Sequence, residues 1–183
     1  VGAFRRLRDE GCLDILTSAA THGYLPLMER DSTIHGQIAT GRSASQRHLG
    51  SAPQGIWLPE CGYRPAYFKD GQPTYLKPGL ETFLTDLGLG YFFTETTVIT
   101  GGELVGKVAG DAIGPYGALP VRKLAVVQIA EPTEKTTFRP YYVAGSPVSV
   151  FGRDERTGMQ VWSASHGYPG DYVYREFHRT DDH

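Results

Sequence analysis

Residues 76–95 read LKPGLETFLTDLGLGYFFTE. Leu80, Phe83, Leu84 and Leu87 fall at i, i+3, i+4 and i+7, the spacing of one helical face, and Pro78 suits a first turn. Gly88 stands where a helix closes on a left-handed C′ residue. Behind it, LGYFF (89–93) is too short for a second helix and reads as a buried strand. A helix followed at once by a buried strand is half of a βαβ unit, and so predicts a parallel sheet.

The same rhythm runs upstream. GIWLPE (55–60) is bounded by Gly55 and Pro59 and is apolar on both faces, as a strand covered on two sides reads. Before it, DSTIHGQIATGRSASQRHLG (31–50) keeps a ragged helical stripe at Ile34, Ile38, Ser45 and Leu49. Asp31 or Ser32 can cap its start and Gly50 can end it. LDILT (13–17) predicts an earlier strand, and Gly23 and Pro26 predict a loop in SAATHGYLPLM (18–28). Downstream, residues 95–145 hold Gly, Pro and β-formers, including a strand pattern at LAVVQIA (124–130), and no amphipathic helix. They read as a long excursion from one βα loop, of the length that is usually functional. PVSVFGRD (147–154) resumes the strands, and a last helix is expected from Asp171. The class is α/β, with about four parallel strands.

The bulk numbers exclude several functions. A net charge of −2 gives no basic footprint for nucleic acid or an anionic membrane. No apolar run approaches the ~20 residues of a membrane helix. Cys12 and Cys61 form neither a framework nor a C-x-x-C pair, and with no export signal in the sequence they point to a reducing cytoplasm. The histidines lack ligand spacing such as H-E-x-x-H, so no metal is expected, and the glycine-rich stretches follow no phosphate-loop pattern, so no cofactor is expected. Glycine is abundant, 23 of 183 residues against a typical ~7%, and with 11 tyrosines suggests loops that approach a flat ligand such as a sugar.

One carboxylate, Glu60, sits in the apolar run GIWLPECGYRP (55–65) at the C-terminal tip of a predicted strand. In parallel α/β folds those tips carry the chemistry. His22 follows the strand before it, and Arg153 and Asp154 follow a later one. From spacing alone a structural ion pair at Glu60 is equally compatible. Asp154 can simply pair with Arg153, Trp57 can be core, and Tyr63 and Arg64 can line a cleft or brace Glu60.

Three blocks in order decide between these. TSAATHGYLPL (17–27), GIWLPECGYRP (55–65) and VFGRDERTGMQVWSASHGYPGDYVYREF (150–177) resemble glycoside hydrolase family 57, and within it the glucan branching enzymes. The resemblance covers the chain apart from the 95–145 excursion. It implies part of an incomplete (β/α)7 barrel, retaining chemistry on α-1,4-glucan, and Glu60 as nucleophile. It makes His22 and Arg153 substrate-contacting residues and Trp162 a sugar platform, and it suggests Tyr116 as a mobile-loop tyrosine in an excursion that closes as a lid. The family's general acid and its N-terminal histidine motif have no match here. Residues 1–183 are therefore expected to be a segment of one catalytic domain, inactive alone and completed by the rest of it. A family 57 α-amylase or 4-α-glucanotransferase, or a non-catalytic glucan-binding subunit, are the alternatives.

Overall fold

The computed structural model describes residues 1–68, 75–108, 123–163 and 167–168. Two compact units emerge, Val1–Glu95 with Arg139–Gly152, and Thr96–Phe138 with Arg153–His183.

In the first unit, α1 (Gly2–Asp9) precedes α2 (Asp31–Leu49). Helix α1 buries no residue; its arginines hold it, with Arg5 Nε donating to the His48 carbonyl at 2.9 Å. In α2, Ile34 and Ile38 are fully buried, as their spacing predicts. Asp31 is the first helical residue rather than the cap. Its side chain caps nothing but puts a carboxylate at the positive end of the helix. Gly50 closes α2 in the left-handed conformation, φ 85°, its N–H on the Gln46 carbonyl.

Strand β1 (Gly55–Trp57) runs into a 3-10 turn at Pro59–Cys61. The short β2 (Tyr67–Phe68) and β3 (Tyr75–Lys77) pair antiparallel. Then come α3 (Leu80–Asp86) and β4 (Tyr91–Thr94). Leu80, Phe83 and Leu84 are buried, and Gly88 has φ 68°. Gly88 N–H donates to the Thr85 carbonyl and Leu89 N–H to the Leu84 carbonyl, the paired bonds of a Schellman ending. That ending turns the chain directly into β4.

In the second unit α4 (Thr96–Thr100) is followed by β5 (Gly102–Val108) and β6 (Lys123–Ala130), which pair antiparallel with Val105 opposite Val126. The strand expected at 124–130 is thus found, in a hairpin. Helix α4 lies in a stretch where no helix was expected; five residues are too few to show a periodicity. The excursion also returns a strand to the first unit. Strand β7 (Tyr141–Tyr142) pairs antiparallel with β8 (Ser149–Gly152).

The main sheet has the order β1-β4-β8-β7. Strands β1, β4 and β8 are parallel and in register, Trp57 beside Phe93 and Phe93 beside Phe151. The strand expected at 13–17 is reduced to one parallel bridge from Thr17 to Ile56. Ile56, Phe92 and Val150 are buried on one face, and burying a side chain of this size contributes roughly 1.5–3 kcal/mol. On the other face Trp57, Phe93 and Phe151 stack at successive 5.4 Å centroid distances. Trp57 is therefore a member of a sheet-wide aromatic row. Tyr91 meets this row edge-on, and burial together with the Asp14 carboxylate, to which its hydroxyl donates, pushes its phenol up to about 12.

Helix α5 (Glu155–Trp162) follows β8 in sequence. The sequence reading missed it because it has no buried stripe and carries Gly158 in its middle. Its start was nonetheless legible in Asp154. This residue does not act as an ion-pair partner of Arg153 but as the N-cap, Oδ1 accepting from Thr157 N–H at 2.9 Å. The helix expected from Asp171 lies outside the described residues, as does Tyr116.

Candidate active site

Among the described residues, three other than glycine have positive φ: His22 at 54°, Glu60 at 54° and Cys61 at 51°. All three meet at the end of β1. Left-handed backbone costs a residue with a Cβ roughly 1–2 kcal/mol, so it persists only where the surroundings impose it.

The imposition is visible on both sides of Glu60. Leu58 is fully buried and Cys61 nearly so, and between them Pro59 fixes its own φ. Cys61 N–H donates to the Leu58 carbonyl at 2.9 Å and Gly62 N–H to that of Pro59 at 3.1 Å. The inverted Glu60 backbone lets both neighbours point into the core while its own side chain stays 76% exposed. A strand built for burial thus ends by ejecting its one acid.

Tyr63 and Arg64 then anchor the segment and do not brace Glu60. Tyr63 stacks on Phe92 at 5.0 Å and donates to Glu81 Oε2 at 2.7 Å; burial and that carboxylate push its phenol well up. Arg64 is 3% exposed, donates to the Pro78 carbonyl at 3.1 Å and lies 3.8 Å from Asp31.

His22 reaches Glu60 from the preceding loop. Its Nε2 is 3.7 Å from Glu60 Oε1. The loop turns sharply, with His22 N–H on the Ala19 carbonyl at 3.1 Å, and re-enters the core at Leu25, which is fully buried. Gly62 makes room for it. A Cβ there would lie 2.8 Å from Tyr24 Cζ, so the Tyr24 ring packs where only glycine leaves space. Gly41 of α2 has the same role at Ser18, whose carbonyl a Cβ would strike. Ser18 was not singled out in the sequence. Its hydroxyl donates to the Trp57 carbonyl at 3.0 Å and lies 3.4 Å from His22 Nδ1. The signal was the hydroxyl four residues before the histidine, a spacing that a turn closes.

The second unit brings Arg153 and Trp162 together. The Arg153 guanidinium stands over the Trp162 ring, 5.8 Å from its centroid, and its Nη2 borders the open face of Gly158. The ring of Trp162 is 66% exposed. The GY pair of HGYPGD folds back on the helix end. Tyr168 N–H donates to the Gln160 carbonyl at 2.8 Å, and a Cβ on Gly167 would lie 2.5 Å from the Met159 and Gln160 carbonyls. Among the described residues no group of three histidine, cysteine or acidic side chains could hold a metal, and no helix is long and apolar enough to cross a membrane.

A strained carboxylate at a parallel strand tip with a histidine beside it is a pair suited to sugar chemistry. A 1,4-alpha-glucan branching enzyme of Thermococcus kodakarensis is 48% identical over 181 residues, 98% of this chain and 24% of that protein. The crystal structure of a GH57 branching enzyme from that organism, in complex with glucose and additives, superposes with a TM-score of 0.69 at 45% identity, over 99% of this chain and 30% of that one. A GH57-type branching enzyme from Pyrococcus horikoshii matches with a TM-score of 0.67 at 39% identity, over 97% of this chain and 28% of that one. The chain spans about a quarter of the length of the curated relative. The fold is part of the (β/α)7 barrel of these enzymes. The family model described as glycosyl hydrolase family 57 matches residues 1–181, and the chain belongs to that family.

Proposed function

We propose that this chain carries the nucleophile half of a retaining α-glucan branching site. The observation that carries the reading is Glu60, held out from the end of β1 by left-handed backbone with His22 3.7 Å away. The 48% identity to a named branching enzyme favours branching over hydrolysis or 4-α-transfer.

The chemistry follows from the carboxylate. An Oε atom of Glu60 attacks the anomeric carbon of a donor glucose, and the bond from that carbon to the leaving O4 breaks. A second carboxyl about 5–5.5 Å away protonates O4. In the second step the 6-hydroxyl of another glucan attacks the same carbon, its proton passes to that carboxylate, and Glu60 is released with an α-1,6 branch formed. By the family resemblance the second carboxyl belongs to a part of the catalytic domain beyond residue 183. His22 stands beside Glu60 and meets the sugar hydroxyls. Trp162 offers its exposed face to a pyranose with Arg153 fixed over it. Tyr116, in the 95–145 excursion, acts at the tip of a lid that keeps water from the glucosyl ester. The substrate is an α-1,4-glucan such as amylose, the setting glycogen-type synthesis in the cytoplasm.

The test is to incubate the natural polypeptide that carries this chain with amylose and count α-1,6 linkages by proton NMR. New α-1,6 signals that vanish in Glu60→Gln are expected. Glucan binding with no bond made would establish the non-catalytic subunit instead.

A further inference from the structure

We infer that Ser18 is a positioning residue that holds His22 in its Nδ1–H tautomer, so that the proton His22 gains and loses sits on Nε2, facing Glu60. A serine hydroxyl has one proton to give. A carbonyl has none, so the 3.0 Å contact from Ser18 Oγ to the Trp57 carbonyl commits that proton. Toward His22 Nδ1, 3.4 Å away, Ser18 has only lone pairs to offer. The ring must therefore supply the hydrogen, and Nδ1 keeps it in both charge states.

The oxygen is fixed firmly enough to impose this. Thr17 is bridged to β1 through Thr17 N–H to the Gly55 carbonyl and Trp57 N–H to the Thr17 carbonyl. On the other side α2 presses on the Ser18 backbone at Gly41. The turn closed by His22 N–H on Ala19 brings the ring back over the serine. From the segment leaving β1 the ring faces the Glu60 carboxylate. From α2 the loop meets the neutral Gln37, which accepts from Thr21 N–H at 3.0 Å.

The tautomer decides what Glu60 experiences. With the proton on Nδ1, charged His22 turns an Nε2–H toward the carboxylate 3.7 Å away, whereas neutral His22 presents a lone pair there. Neutral His22 thus leaves Glu60 unencumbered for attack and can accept a hydrogen bond from a sugar hydroxyl. Free neutral histidine in water prefers the opposite, Nε2–H tautomer, which would point an N–H at Glu60 whatever the charge of the ring. Ser18 thereby turns His22 from a constant donor into a proton-dependent one. The catalytic consequence rests on the reading of Glu60 given above; the tautomer does not.

The experiment is 15N NMR of the histidine-labelled natural polypeptide at alkaline pH, where imidazoles are neutral, with the His22→Gln spectrum subtracted for assignment. In the wild type, Nδ1 should carry the proton and Nε2 should show the shift of a bare ring nitrogen. Ser18→Ala should move the proton to Nε2 and lower kcat about tenfold with KM within about twofold, and Ser18→Thr, which keeps the hydroxyl, should restore both. A wild-type Nε2–H ring, a tautomer unmoved in Ser18→Ala, or a moved tautomer with unchanged kcat would each overturn the inference. A Glu60→Gln enzyme of wild-type rate would instead overturn the reading of Glu60 and leave the tautomer result standing.

Discussion

Gly62→Ala should damage activity far more than stability. Gly62 has φ −74° and ψ 114°, which any residue adopts, so alanine brings no backbone strain. Against a flexible glycine it even restricts the unfolded chain, a gain of about 0.4–1 kcal/mol. The damage is steric. The new Cβ would stand 2.8 Å from Tyr24 Cζ and 3.1 Å from Cδ2, and closer still to Cε2. Carbon atoms rest at about 3.5–4.0 Å, so the ring must recede by roughly 1 Å. Tyr24 is 43% exposed and has room to swing outward, which keeps the net loss of stability near 1 kcal/mol or below. Two residues away, however, is His22, which reaches Glu60 across 3.7 Å. A displacement of about 1 Å at a positioned group costs on the order of 100-fold in rate. The assay pairs a denaturation midpoint with kcat/KM for α-1,6 transfer in the natural polypeptide. Tyr24→Ala removes the ring that is struck, so Gly62→Ala added to Tyr24→Ala should cost almost nothing further, a strong non-additivity. Transfer within twofold of wild type in Gly62→Ala, or full additivity in the double variant, would refute the steric argument.

Glu60→Gln keeps size and hydrogen bonding but cannot form the glucosyl ester; a rate loss of more than about 1,000-fold is expected, with an unchanged or slightly raised midpoint because the exposed charge holds nothing together. Trp162→Ala should weaken glucan binding, read by titration with maltooligosaccharides, while the midpoint stays within about 0.5 kcal/mol, since the ring is mostly exposed. Asp154 has its carboxyl held below the usual range by the hydrogen bonds from Thr157. A depressed carboxyl stabilises above its unfolded pKa, so hydrogen-exchange protection of the Thr157 amide should be complete at neutral pH and fall as pH drops below about 4. Asp154→Ala should lose that protection at every pH. In Tyr116→Ala, reducing ends released should rise relative to α-1,6 linkages made; an unchanged ratio would return the excursion to a structural role.

The elements legible in the sequence are those whose physics is local. Helix α3 announced itself by one apolar stripe and a glycine at the only position where a Schellman ending needs it. Strand β4 followed because an apolar run of that length has nowhere to go but a sheet interior. Ile34 and Ile38 gave away the buried face of α2 in the same way. Helix α5 was illegible by the same rule, since it buries nothing and its sole local signal is one capping aspartate. Strand 13–17 failed differently. Its apolar run was real, but of that run only Thr17 pairs with β1, and pairing is a property of two segments that no single window contains.

The site divides along the same line. That Glu60 ends a strand was readable; that its backbone is inverted was not, because left-handed φ at a residue with a Cβ contradicts its own preference. Such a conformation comes from what surrounds it: Pro59 and Cys61 are both buried, and three residues of chain cannot bury both without turning Glu60, the one between them, outward. The glycines record the same arrangement from the other side. Gly62 and Gly41 are not turn residues, and nothing in their neighbours predicts them. Each marks where a second segment passes too close for a side chain, Tyr24 over the one and the Ser18 backbone under the other. Those two approaches place the 18–25 loop, hence the Ser18 hydroxyl, hence the ring of His22. The proposed nucleophile is one exposed carboxylate, but its setting depends on two absent side chains, and these positions are where substitution should separate activity from stability.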